Sequence, residues 1–293
     1  MISLRSRRSL LKFASVVLPV SVMDPLRLLG LDGLGAGNAG LASSDPASSN
    51  LAISNDEAHN LPTPDIFPTQ PPELAREMVL VSHFNLARVR ELAEAHPSLA
   101  KASWDWGFGD WESALGAASH VGNRPIAEYL ISKGARPSLF SAAMLGQLEV
   151  VKAFVTAQPG VQRIRGPHSI PLLAHARAGG EAARPVFEYL ESLKDAGADP
   201  PIPLPEADLT RLPGTYVFGP VANQQIDITA DKGLLTWTRK GTTGRGLVHL
   251  GDRTFHPIGA AAVRIRFAEG PGGMVMTIND PDVVLTARKK SEK

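Results

Sequence analysis

Four groupings in this chain could carry chemistry. Ser98-Leu99-Ala100-Lys101 places a hydroxyl and an amine one helical turn apart, the spacing of a serine nucleophile with a lysine base. His83, His120, His168 and His175 could ligate a metal or move protons. Arg163 and Arg165, just ahead of Gly166-Pro167-His168, could hold an anion. WDWGFGDW (104–111) gathers three of the four tryptophans, and aromatic anchors are where binding energy concentrates. The chain has no cysteine, which removes disulfides, thiolate chemistry, Cys-ligated metals and lipoprotein acylation.

None of the reactive groupings is complete by spacing. Ser-x-x-Lys is the motif of penicillin-recognising enzymes, but Lys240-Gly241-Thr242 has the letters of their K-T-G partner out of order. The histidines show no i, i+4 pair and no clustered carboxylate, so they are expected to face solvent or bond turns, not to bind a metal. Arg163 and Arg165 read as a solvated loop. No Gly-rich phosphate loop is present, and a net charge of +1 gives no reason to expect nucleic acid. The expectation is therefore no catalytic residue, no metal and no cofactor.

What positions the remaining candidates is a chain of several parts. Arg5, Arg7, Arg8 and Lys12 precede the uncharged apolar run Phe13–Met23, which is too short to span a bilayer and has the layout of an export signal. Ser6-Arg7-Arg8-Ser9-Leu10-Leu11-Lys12 resembles the twin-arginine export consensus, with Leu10 in the place of Phe. The resemblance implies a bacterial protein exported to the periplasm or beyond, cleaved after Ala39 or Ala42. Residues 1–42 hold five of the 30 Lys/Arg and two of the 29 Asp/Glu, so the remainder carries a net charge of −2. Residues 43–72 are rich in Ser, Pro, Asn and Asp without periodicity and read as a flexible tether.

Between 73 and 199 a pattern recurs: small residues, a Gly stop, then an apolar stripe at helical spacing. Ser113-Ala114-Leu115, Ala118, Gly122 and Gly134-Ala135 mark one unit. Ala142-Ala143, Gly146 and Leu148–Lys152 mark the next, and Ile170-Pro171-Leu172, Gly179 and Gly197-Ala198-Asp199 the last. These residues resemble ankyrin repeats. The resemblance implies an α solenoid of about four helix pairs, starting near 75, 113, 137 and 170, with a concave binding face. His120, Met144 and Arg177 share the first-helix position that would line that face. In the first connection Trp104, Trp106 and Phe108 fall at i, i+2 and i+4, one side of an extended finger, with Trp106 the ring expected to stay exposed and Trp104 and Trp111 the ones expected to stabilise.

After a Pro-rich joint at 200–208, the apolar period changes to two: Tyr216/Phe218, Ile226/Ile228, Leu235/Trp237, Val263/Ile265/Phe267 and Met274/Met276/Ile278. Turn signals such as Asp231-Lys232-Gly233 and Gly251-Asp252 divide the run, predicting seven or eight antiparallel strands in a small barrel or curled sheet over 209–293. The pattern resembles the β-domain appended to secreted bacterial serine hydrolases, an accessory part that imports no catalysis. The joint is expected to carry few contacts, so that the two domains fold separately.

The expected protein is an exported binding module, not an enzyme. It would engage a protein or peptide partner through Trp104, Trp106, Phe108, Trp111, His120, Met144, His168 and Arg177, with no nucleic acid and no stable membrane insertion after signal removal. Two alternatives are an accessory or inhibitory subunit of an envelope enzyme, contacting it through the β-domain, and an enzyme working from converging carboxylates between the domains.

Overall fold

The computed structural model describes residue 66 and residues 68–291 apart from 222 and 282. The expected export signal (1–42) and nearly all of the tether (43–72) lie outside the described residues. Among those described, no helix is long and apolar enough to cross a membrane.

The N-terminal half holds α1 (Pro72–Val81), α2 (Leu86–Ala95), α3 (Ala114–His120), α4 (Arg124–Ser132), α5 (Leu139–Met144), α6 (Leu148–Ala157), α7 (Leu172–Ala178) and α8 (Arg184–Ser192). Their starts are fixed locally. Asn85, Ser113 and Asn123 accept a backbone N–H at the openings of α2, α3 and α4, and Ser138 with Ser141 forms a capping box on α5. Gly122 ends α3 at φ +77°, and a Cβ there would overlap the Ala178 carbonyl, so its lack of a side chain lets α3 and α7 approach.

The expected ankyrin-like solenoid is overturned. The helices are short, of six to ten residues, and their apolar side chains divide between two clusters, one from Met78 to Met144 and one from Leu139 to Ala196. Stacked like units would instead share one continuous core. Two features break the regularity: a two-stranded hairpin, β1 (Ser103–Asp105) with β2 (Trp111–Ser113), interrupts the helices, and buried polar side chains sit among them. The small-residue and Gly pattern fixes helix ends and close approaches. It does not fix how successive pairs stack.

The β expectation holds. After α9 (Glu206–Arg211) come β3 (Gly214–Val217), β4 (Gln225–Asp231), β5 (Leu234–Arg239), β6 (Arg245–Gly251), β7 (Thr254–Pro257), β8 (Arg264–Gly270), β9 (Gly273–Asp280) and β10 (Val283–Lys289). They close in the order β10-β3-β4-β5-β6-β7-β8-β9, with every neighbour antiparallel. Alternation sends Tyr216, Ile226, Ile228, Leu235, Phe255, Ile265, Phe267 and Met276 into one apolar core. Lys232 and Gly233, both at positive φ, make the two-residue turn whose twist suits the β4–β5 hairpin.

Candidate functional site

The β1–β2 hairpin does the positioning. Trp106 N–H bonds the Asp110 carbonyl and Asp110 N–H bonds the Gly107 carbonyl, with Gly107, Phe108 and Gly109 all at positive φ around the tip. From there the strand period of two takes over: Asp110 and Glu112 turn inward, 3% and 0% exposed, while Trp111 between them is 64% exposed.

Around those carboxylates four imidazoles converge. His83 comes from the turn after α1, His120 is the last residue of α3, His168 lies in a tight turn (Pro167–Ser169), and His175 is on α7. Glu112 Oε1 is 3.0 Å from His120 Nε2; its Oε2 is 3.6 Å from His83 Nε2 and 3.4 Å from His168 Nε2. The His83 and His120 Nε2 atoms are 3.1 Å apart. Trp106 Nε1–H donates to Glu112 Oε2 at 2.8 Å. Asp110 grips His168 twice, accepting its backbone N–H at 2.9 Å and meeting Nδ1 at 2.7 Å. His168 (φ +57°) and Ser169 (φ +58°) pay for that grip in backbone strain, a conformation that persists only where its surroundings impose it.

The barrel completes the cluster. Arg245, at the start of β6 and 2% exposed, donates from Nη1 to Asp110 Oδ2 at 2.6 Å. Gly259 N–H donates to Ser169 Oγ at 2.9 Å, and a Cβ on Gly259 would overlap the Asp110 carboxylate. Phe108 crosses to the barrel core and meets the Trp237 ring edge-on, centroids 5.1 Å apart. The hairpin and His168–Ser169 thus join the helices to the barrel. The Pro-rich joint, expected to carry few contacts, also packs on the barrel through Leu204, the Pro203 carbonyl at His249 and Asp208 at Arg253.

Charge follows from this packing. Burial opposes ionisation of Glu112, yet the adjoining His120, His168 and His83 imidazoles outweigh it and hold its carboxyl well below the usual range. Burial likewise works against charge on His168, but Asp110 and then Glu112 win and raise it to about 9. For His83, burial prevails over the attraction of Glu112 and lowers it to about 4; burial also lowers His175 to about 4. Asp110, desolvated but bonded by His168 and beside Arg245, is held below its ordinary value.

No protein-family model matches this chain, and no curated protein or solved structure does either. The site has to be read from its own atoms.

Beside the cluster, with Trp106 as the wall between, lies a cleft of about 780 Å³ between hairpin and barrel. Trp104, Trp106, Phe108 and Trp237 supply its aromatic surface, and Thr236 to Gly244 much of the rest. The residues expected to bind a partner are split by this arrangement. Trp104 and Phe108 are half-buried at the cleft; Trp106, expected to be the exposed ring, is 7% exposed because its N–H is drawn to Glu112. His120 and His168 are buried in the cluster, and Met144 is 0% exposed in the helical core, so none of these three presents a contact surface. Arg177 is exposed and stacks over Phe187; Trp111 is exposed away from the cleft.

Local spacing missed the cluster because its ligand-type atoms come from four separate segments. Solvent-facing histidines, the alternative expected from sequence, are likewise overturned: all four are at most 7% exposed. His83 Nδ1 and His175 Nδ1 instead bond carbonyls at helix ends, those of Leu80 in α1 and Pro171 at the start of α7. Ser98 lies exposed in a 3-10 turn, and Arg163 and Arg165 are exposed beside Asp195 and Asp199.

Proposed function

We propose that this chain is an exported binding module that seats a peptide segment of an envelope partner in the cleft between hairpin and barrel, and that it is not an enzyme. The observation that carries the reading is the cleft itself. Its volume is that of a ligand site, its aromatic surface is drawn from both halves, and Thr236, Thr238, Thr242 and Thr243 are among the polar residues that line it. Among the described residues the one carboxylate lining it, Asp105, accepts the Gly107 N–H at the hairpin tip. Those behind its wall are engaged, Asp110 by His168 and Arg245 and Glu112 by Trp106 and the imidazoles, which disfavours paired acid–base work on a bound polymer. Export rests on the Arg7-Arg8 pair.

A photo-crosslinking residue at Thr242 should capture a partner segment in envelope extracts, and a synthetic peptide of that segment should bind the purified protein. Thr243→Trp, which fills the cleft, should weaken that peptide at least ~10-fold, while Trp111→Ala leaves it unchanged. A peptide that binds Thr243→Trp as well as the parent refutes the cleft. Crosslinks from Val284 on the barrel wall but none from Thr242 would favour the accessory-subunit arrangement. For export, Arg7→Lys with Arg8→Lys should strand the precursor in the cytoplasm; normal export of that double variant refutes the twin-arginine route.

A further inference from the structure

We propose that His83, Glu112, His120 and His168 form a four-ligand site for one divalent transition-metal ion of the zinc type, which locks the hairpin to the helices and, through Asp110 and Arg245, to the barrel. This inference is independent of what the cleft binds.

Geometry is the first support. One donor atom from each of the four residues lies within 4.8 Å of every other. His120 Nε2 is 3.0 Å from Glu112 Oε1 and 3.1 Å from His83 Nε2, and Glu112 Oε2 is 3.4 Å from His168 Nε2 and 3.6 Å from His83 Nε2. Ligands at about 2.0–2.1 Å from a tetrahedral zinc are about 3.3 Å apart, the range in which these pairs lie.

Proton accounting is the second. The Leu80 carbonyl can only accept, so His83 must carry its hydrogen on Nδ1, 2.9 Å away, leaving Nε2 as a bare lone pair. Asp110 likewise accepts the His168 Nδ1 hydrogen, which aims His168 Nε2 at the same centre. The Nε2 atoms of His83, His120 and His168 and the Glu112 carboxylate are thus turned toward one another. Glu112 Oε1 and His168 Nε2, both buried, have no hydrogen-bond partner among the described residues. A cation at the centre satisfies all of these at once.

The surrounding shell is the third. Imidazoles that ligate a metal hand their other N–H to a carboxylate or a carbonyl, fixing tautomer and ring orientation. His168–Asp110 and His83–Leu80 are such pairs, and Arg245 fixes Asp110 in turn. Three neutral imidazoles with one carboxylate suit a borderline ion such as Zn²⁺, not Ca²⁺ or Mg²⁺, which favour oxygen. All four side chains are at most 3% exposed and all four positions are protein atoms, the closed form of a structural site.

The test is metal content and spectroscopy on the full chain. Protein purified from zinc-supplemented cells should carry about one Zn²⁺ per chain by mass spectrometry of the metal. After stripping, it should take about one equivalent of Co²⁺, with the visible absorption of tetrahedral cobalt. Asp110→Asn, which keeps all four ligands and disturbs only their support, should weaken Co²⁺ binding ~10–100-fold. Glu112→Gln should abolish the tetrahedral spectrum. Because a ligand variant could lose its fold, the decision rests on the unaltered chain: no bound zinc as purified, together with no Co²⁺ uptake by the stripped protein, overturns the site.

Discussion

The two halves of this molecule solve the same packing problem with opposite materials. The barrel fills its centre with Tyr216, Phe255, Phe267, Ile226 and Met276; the Tyr216 hydroxyl there donates to the nearby Leu212 carbonyl, and the buried Arg245 is turned out of that centre to Asp110. The helical half buries four imidazoles and two carboxylates beside its apolar clusters. Apolar packing is tolerant and roughly additive, whereas a buried charged network stands or falls with each partner. The difference teaches that the helical half is specified by a few polar atoms and should be the fragile one.

The sharpest way to break the comparison is Asp110→Ala. It leaves Arg245 and His168 buried without their common acceptor, so unfolding free energy should fall by about 3–5 kcal/mol, measured by urea titration. A loss below about 1 kcal/mol would show that the network yields to solvent and that the halves are not so different.

Acid should separate the halves next. His175 is held neutral by burial, at about 4 against 6.5 for the unperturbed side chain. A folded-state value below the unfolded one means that its contribution is intact above pH 6.5 and is lost as the pH falls from 6.5 toward 4. The loss is of order 3 kcal/mol at most. His175→Leu should flatten this part of the pH–stability curve, as read from melting temperatures between pH 7 and 4. An unchanged acid slope would remove His175 from the account.

Such fragility was barely legible in the sequence, while the barrel was. Its strands announce themselves by alternation, and Asp231-Lys232-Gly233 is a turn whatever surrounds it. Glycine stops such as Gly122 and Gly134, with apolar stripes at helical spacing, gave the helices for the same local reason. The stacking of those helices is not local, and the repeat pattern misled because it specifies ends, not partners. Nor is the cluster local: His83, Glu112, His120 and His168 meet only after the chain has folded. One signal was present. In Asp110-Trp111-Glu112 a large ring is flanked by two carboxylates, and on a strand either the ring or the acids must face inward. Histidines at 83, 120, 168 and 175 give a reason to choose the acids, one that spacing within the strand does not supply.

Within the barrel, Phe255→Leu should cost about 1–2 kcal/mol, with the rest of the apolar core closing around the smaller side chain. The change should be the same with or without added chelator. If chelation enlarges it, the two cores are coupled more tightly than their compositions imply.

The smallest effect should be at Trp111, which the sequence placed among the stabilising rings. Alternation puts it on the outer side of the strand that buries Asp110 and Glu112, and it is 64% exposed. Trp111→Ala should therefore change stability by no more than about 0.5 kcal/mol. Trp106→Ala, two turns of the alternation away across the hairpin tip, removes both a buried ring and the N–H that Glu112 accepts, and should cost at least ~2 kcal/mol. Paired thermal melts of the two variants decide the matter. Equal losses would mean that Trp111 is covered in solution and that the hairpin's inward face has been assigned to the wrong residues.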